Sequence, residues 1–263
     1  MPNLRIGCVP YLNAKPLVDW FHSDECDVAS EVVYAVPSEL ADLVRKDQVD
    51  VALVSSFELF RNRDLVVVPG ASISADGPVK SVRLFSRVPF GEIRSVALDT
   101  SSLTSVALIR ILLTERHGIT PEYRAHPPDL SSMLESCDAG LIIGDLKLFQ
   151  TPATYVMDLG EEWKTLTGLP FVYAAWLARP ELVDTAHGPL IRAMQWGCSR
   201  LDSLAAFWSA RLDLPLNRVR DYLLNVMQYD LDDRKWKALE EFQARCFRHG
   251  LIGANMPTSI RTT

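Results

Sequence analysis

The chain of 263 residues contains no apolar run approaching the ~20 residues that a membrane-crossing helix needs. Its amino terminus carries no basic segment followed by a long apolar one, so no export signal is expected. The triplet Ile6-Gly7-Cys8 looks like a lipoprotein cleavage site, yet nothing ahead of it could act as a signal, and the expected location is the cytoplasm. No Lys/Arg run exceeds a pair and the formal net charge is -6, so neither nucleic acid nor an anionic membrane is expected as a partner. Five cysteines (Cys8, Cys26, Cys137, Cys198, Cys246) are an odd number without a C-x-x-C pair, which argues against a disulfide framework or a zinc knuckle. Five histidines (His22, His117, His126, His187, His249) are scattered with no two at metal-ligand spacing, and no metal is expected. The G-x-S-x-G elbow, the P-loop and G-x-G-x-x-G are also missing, which removes the usual hydrolase, NTPase and dinucleotide readings.

What is present is a chain 48% hydrophobic with mean hydropathy +0.06, enough for one large or two modest buried cores. The first half alternates strand-like runs (5–9, 30–35, 51–54) with helix-like ones (16–21, 38–46, and a short one after Ser55-Ser56). After Pro89-Phe90-Gly91 the alternation restarts, with strands at 95–99, 122–125 and 139–145 and a helix at 103–116. This is the pattern of parallel sheets with helices on their faces. The last 80 or so residues read as consecutive helices, 182–198, 203–212, 216–226 and 233–249, with Trp196, Phe207, Trp208, Trp236 and Phe242 expected in the core. Two stretches rich in β-branched and aromatic residues, 79–88 and 171–180, read as crossovers between two units. Residues 1–86 and 178–263 then form one discontinuous α/β domain and 87–177 a second, inserted one, with a cleft between them that can close on a small ligand by hinge motion.

Ligands of open α/β sheets collect at the carboxyl ends of strands, and several polar groups are expected there. Asn13, in VPYLNAKPL, either caps the helix begun by Pro16 or faces the crevice. LDTSSLTSVAL (98–108) places Asp99, Thr100, Ser101, Ser102, Thr104 and Ser105 at a helix start, where free N–H groups suit a carboxylate or phosphate, although an ordinary N-cap explains them equally well. Ser55 and Ser56 end the strand of VALVSSFEL, Ser81 follows the Gly77-Pro78 turn, and Gly144-Asp145 ends IIGD. Together these hydroxyls, amides and backbone donors suggest one small-molecule pocket. Phe171, Tyr173 and Trp176 can wall the cleft, Trp176 equally the hinge core. Lys80, Arg83 and Arg87 are either surface charges or counterions to an anionic ligand. Any catalysis here would rest on orientation and electrostatics.

Six stretches, VPYLNAKPL, VDVALVSSFEL, ISADGPVKSVRLFSR, VALDTSSLTSVALIRILL, AGLIIGDLKL and DLGEEWKTLTGLPFVYAAW, resemble the MqnA/MqnD menaquinone-biosynthesis family of the futalosine pathway. The resemblance runs from about residue 5 to 178 and implies the type II periplasmic-binding-protein fold, two α/β domains joined by two crossover strands around a ligand cleft. It implies an enzyme without a cofactor. Of the two branches, the 1,4-dihydroxy-6-naphthoate synthases carry a histidine where this chain has Gly144, and TGLPFVYAAW reads as in the dehydratases. The implied activity is therefore conversion of chorismate to 3-[(1-carboxyvinyl)oxy]benzoate and water. A binding protein without chemistry is the rival reading, since fold alone does not separate the two. The resemblance further implies Asn13 and Ser81 at the reacting centre, with Tyr11, Ser55, Ser56, Ser102, Thr104, Ser105, Gly144, Asp145, Phe171 and Tyr173 around the substrate. The proton acceptor is expected to be the substrate's enolpyruvyl carboxylate, with Asp145 as the alternative.

Overall fold

In a computed structural model the chain is described over residues 3–61, 64–99, 103–144 and 154–253. The strands are β1 (Leu4–Cys8), β2 (Ser30–Tyr34), β3 (Val51–Ser55), β4 (Val66–Ala75), β5 (Val82–Ser86), β6 (Ser95–Asp99), β7 (Glu122–His126), β8 (Ala139–Ile143), β9 (Tyr155–Asp158), β10 (Phe171–Ala178) and β11 (Gln228–Leu231). The helices are α1 (Lys15–Val18), α2 (Pro37–Arg45), α3 (Ser56–Arg61), α4 (Leu103–His117), α5 (Leu130–Ser136), α6 (Leu159–Thr167), α7 (Val183–Cys198), α8 (Leu201–Leu212), α9 (Leu216–Asp221) and α10 (Asp233–Arg248). Two sheets result, a six-stranded one in the order β11-β4-β10-β3-β1-β2 and a five-stranded one in the order β7-β6-β8-β5-β9.

In each sheet a parallel trio is followed by antiparallel strands. β1 runs parallel to β2 and β3, and β10 opposes both β3 and β4. β6 runs parallel to β7 and β8, and β5 opposes β8 and β9. The inner strands β1, β3, β6 and β8 are near-continuous buried runs, β3 at every position, as strands covered on both faces must be, whereas β2 and β7 at the sheet edges have no fully buried position. An antiparallel neighbour brings its own amino-terminal end to the carboxyl ends of the trio. That geometry puts the start of β10 beside the end of β3, and the start of β5 beside the end of β8.

Sheet membership differs from the expected crossovers. β5 belongs wholly to the five-stranded sheet and β10 wholly to the six-stranded one, so the chain passes between sheets within residues 76–81 and returns within 159–170, not at 86/87 and 177/178. Both stretches are strand-like in composition because both are buried strands, and composition does not say to which sheet a strand hydrogen-bonds. The expected helix 16–21 is instead a 3-10 turn at Leu12–Ala14, one turn of α1, and a second 3-10 turn at Asp19–His22, broken where Val18 takes φ -130. The expected helix 216–226 stops at Asp221 and widens into a π-turn over Tyr222–Val226. β11, read as part of a helical tail, pairs instead with the edge of β4. Phe207 is 52% exposed rather than core, with the Arg211 guanidinium over its ring. Trp163, Trp176 and Phe242 are fully buried.

The two passages are fastened to each other by Asp158, the N-cap of α6. Its carboxylate accepts from Gly160 N at 3.0 Å and Glu161 N at 3.3 Å in its own helix, and from Val79 N at 2.9 Å and Lys80 N at 2.7 Å in the first passage. Gly160 permits this approach, because a Cβ there would lie 2.4 Å from the Gly77 carbonyl oxygen. Gly160→Ala is expected to cost on the order of 2 kcal/mol, the usual range for overpacking a tight contact. Denaturant unfolding checks this; a midpoint unchanged from the parent would show that the two passages yield freely.

Candidate active site

The cleft lies where strand ends of both sheets meet. β1 ends at Cys8 and the chain turns through Val9, Tyr11 and the 3-10 turn that carries Asn13. β3 ends at Ser55, which pairs with Ala174 near the start of β10. From the other sheet come Ser81, just ahead of β5, and Gly144, just past β8, joined by the bond from Gly144 N to the Ser81 carbonyl at 2.7 Å. Gly144 has φ +74, in the region where glycine avoids the penalty a side chain would incur. Together with apolar residues such as Ile73, Val79 and Met227 these groups line about 610 Å³ of space, counting the part open to solvent.

Of the expected site residues, Tyr11, Asn13, Ser55, Ser81, Ser105, Gly144 and Tyr173 line this cleft. Ser56 and Thr104 do not; both are completely buried one layer behind it. Ser56 Oγ donates to the Val172 carbonyl at 2.7 Å, and Thr104 Oγ1 accepts from Phe57 N at 3.2 Å. The Thr104 and Ser55 hydroxyls bond each other, and Thr104 N donates to Ser55 Oγ at 3.1 Å, so this pair ties β3 to the start of α4 beneath the cleft. Phe171 is also set back: its ring is 1% exposed and packs edge-on against Trp163, Phe242 and Tyr173. Tyr173 lies on the same side of the strand, at a register shift between Val172 and Ala174, and stands between the Phe171 ring and the cleft. Ser102 and Asp145, with Thr100 and Ser101, lie outside the described residues.

Asn13 makes no helix cap. Its Nδ2 donates to Tyr222 Oη at 3.2 Å, and Tyr222 Oη lies 2.9 Å from Ser81 Oγ, so one phenol joins the two polar groups expected at the reacting centre. Sequence reasoning missed Tyr222. Inside a segment with helical periodicity a tyrosine reads as core, and the π-turn that aims it leaves no local mark. The neighbouring link is an ion pair between Lys80 and Asp221, and the ammonium holds the Asp221 carboxyl below the usual carboxylate range. Lys80 itself has φ +64, a conformation uncommon for a residue with a side chain, fixed by its N–H to Asp158 and its ammonium to Asp221. Arg83 Nε stands 3.7 Å from Asp158, and Arg87 donates to the Cys137 carbonyl, so neither is among the lining groups.

Among the described residues that line the cleft, none carries a formal charge. Burial pushes the phenols of Tyr173 and Tyr222 above 10, Tyr173 well above, with nearby Asp158 adding to both; the hydrogen bonds that Tyr222 shares with Ser81 and Asn13 offset part of the effect on it. Such an arrangement can orient a ligand and offer hydrogen bonds, but its described side chains include no base that titrates near neutrality. Among the described residues no three His, Cys, Asp or Glu side chains are grouped to hold a metal ion, and no helix is long and apolar enough to cross a membrane.

The model of a family described as menaquinone biosynthesis matches residues 4–248. The chain belongs to that family. It is 31% identical over 260 residues to the chorismate dehydratase of Thermus thermophilus, covering 90% of this chain and 93% of the relative. It is 25% identical over 243 residues to the chorismate dehydratase of Campylobacter jejuni, covering 90% of each. In structure it is similar to the periplasmic aliphatic sulphonate binding protein SsuA of Escherichia coli, with a TM-score of 0.68, 15% identity, and coverage of 100% of this chain and 95% of that one. The family therefore carries the periplasmic-binding-protein fold here, with the cleft at the position where the strand ends of the two sheets converge.

Tyr173 Oη is buried without a hydrogen-bond partner among the described residues. An unpaired buried hydroxyl costs roughly 1–3 kcal/mol, so Tyr173→Phe is expected to leave the melting temperature unchanged or raise it. A fall of several degrees in calorimetry would mean that the hydroxyl is satisfied in solution. Because both phenols ionise above pH 10, activity measured between pH 6 and 9 should show no limb that disappears in Tyr173→Phe.

Proposed function

We propose that the chain is a chorismate dehydratase, a hydro-lyase of menaquinone biosynthesis by the futalosine pathway, working in the cytoplasm on chorismate without a cofactor. The observation that carries this reading beyond family membership is a cleft whose described lining is uncharged and in which Asn13 and Ser81 are joined by Tyr222. The reaction asks for little more. A proton leaves the ring carbon that bears the enolpyruvyl ether, acidified through conjugation to the ring carboxylate. Hydroxide leaves the adjacent carbon, the ring becomes aromatic, and proton and hydroxide account for the water released.

A cleft without acidic side chains among its described lining does not repel a dianion, and oriented neutral donors stabilise charge as it spreads onto the ring carboxylate. Ser55 and Ser105, which line the cleft, then hold a carboxylate, with Tyr11 and Tyr173 flanking the ring. Asn13 and Ser81 then face the departing hydroxyl. An amide does not take a proton as a base, and neither phenol is ionised near neutrality. The proton acceptor is the substrate's own enolpyruvyl carboxylate, folded over the ring, with Asp145 as the competing candidate. In domain terms the ligand sits between the unit built on the six-stranded sheet and the unit built on the five-stranded one, and the passages at 76–81 and 159–170 act as the hinge.

Purified chain incubated with chorismate and no added cofactor should yield the aromatic product, detected by mass and ultraviolet absorbance. Asn13→Ala should lower kcat by about 10²-fold or more, the usual cost of removing an orienting polar group from a transition state. Binding of chorismate without product would instead favour the binding-protein reading. Asp145→Asn should keep kcat within about tenfold of the parent and retain both limbs of its pH profile; loss of several orders of magnitude would make Asp145 the base, since general bases contribute about 10²–10⁴.

A further inference from the structure

The members of the Asn13–Tyr222–Ser81 chain are unequally satisfied. Asn13 spends Nδ2 on Tyr222, whereas its Oδ1 is buried and has no hydrogen-bond partner among the described residues. Tyr222 is itself buried and is not among the groups lining the cleft, so it reaches a ligand only through its two partners. A phenol has one hydrogen. Either hydroxyl of the Tyr222–Ser81 pair is able to donate; with the phenol oxygen already accepting from Asn13, the direction that uses the phenol hydrogen gives it to Ser81 Oγ and leaves the Ser81 hydrogen for the cleft. A chain aligned in one direction polarises each member in turn.

We propose that Tyr222 is a positioning residue that sets the direction of this chain, so that Asn13 presents an acceptor and Ser81 a donor to one and the same hydroxyl of the substrate. The inference rests on the dehydratase reading. Chorismate as its dianion carries a single polar hydrogen, that of the ring hydroxyl, and it is the one group able to satisfy Asn13 Oδ1. Ser81 then donates to the oxygen of that hydroxyl. The leaving group is held from both sides, its C–O bond fixed relative to the ring, and charge developing on the departing oxygen is met by a donor already polarised through Tyr222. No proton leaves Tyr222 in the process; its raised phenol pKa keeps it a donor throughout. The reverse direction, with Tyr222 donating to Asn13 Oδ1, would turn the Asn13 amide hydrogens toward the substrate and abolish recognition of a donor.

The full chain is assayed with chorismate as wild type, Tyr222→Phe, Asn13→Ala and the double variant, following turnover to completion by mass. Tyr222→Phe is expected to lower kcat about 30-fold with KM within threefold and the melting temperature within a few degrees. In the Asn13→Ala background the same change should cost less than threefold, the non-additivity of residues acting as one unit. A second measurement needs only the wild type: a chorismate analogue with hydrogen in place of the ring hydroxyl should inhibit with Ki at least tenfold above the KM for chorismate. Unchanged kcat in Tyr222→Phe, an equal cost in both backgrounds, or an analogue bound as tightly as chorismate would each overturn the proposal. Failure of the wild type to turn over chorismate is a separate outcome, and it removes the dehydratase reading.

Discussion

The structure turns on one carboxylate. Asp158 collects four backbone N–H groups, two from the start of α6 and two from the passage at 76–81, at a point where the chain crosses between sheets in both directions. Helix capping and passage anchoring are thereby the same interaction. Backbone donors that would otherwise be stranded at a helix start and in an extended loop satisfy each other's needs through a single acceptor. Everything polar in the cleft that comes from the five-stranded sheet is positioned downstream of it: Lys80 is held at positive φ, Ser81 follows at once, and the Ser81 carbonyl receives Gly144 N.

From that anchor two successive residues reach the carboxy-terminal part of the chain, Lys80 to Asp221 by charge and Ser81 to Tyr222 by hydrogen bond. The π-turn beginning at Tyr222 widens the end of α9, a distortion common at functional positions, and so brings the phenol between Ser81 and Asn13. Three distant pieces of chain, the turn after β1, the first passage and the junction after α9, are thus locked around one hydroxyl. The cleft they bound is neutral in its described lining, and it favours orientation over proton transfer by protein groups.

Much of this was legible in the sequence. β6 falls at 95–99 as expected, and α4, α8, α10 and β3 agree with the expected segments to within two residues, because their apolar periodicity and their polar borders are strong. The positions of Asn13, Ser55 and Gly144 just beyond or at strand ends followed from the rule that open α/β sheets bind ligands there, and Ser81 was marked by the Gly77-Pro78 turn ahead of it. What failed was whatever depends on partners far away. Phe171 and Tyr173 are separated by one position in one strand and their rings touch, yet Phe171 is enclosed by Trp163 and Phe242 while Tyr173 lines the cleft. Ser56 looks as available as Ser55, yet the Val172 carbonyl draws it inward.

By itself the sequence determined the alternating α/β class, the segments that are buried, the hydroxyl-rich character of the strand ends, and the family to which the chain belongs. These are local properties, set by periodicity, turn residues and side-chain chemistry. The tertiary structure alone decided which sheet each passage strand joined, that α9 opens into a π-turn, and that Tyr222 stands between Asn13 and Ser81. The physical reason is separation along the chain: Tyr222 is 209 residues from Asn13 and 141 from Ser81, and no local preference encodes a hydrogen bond whose partners meet only after two sheets have packed.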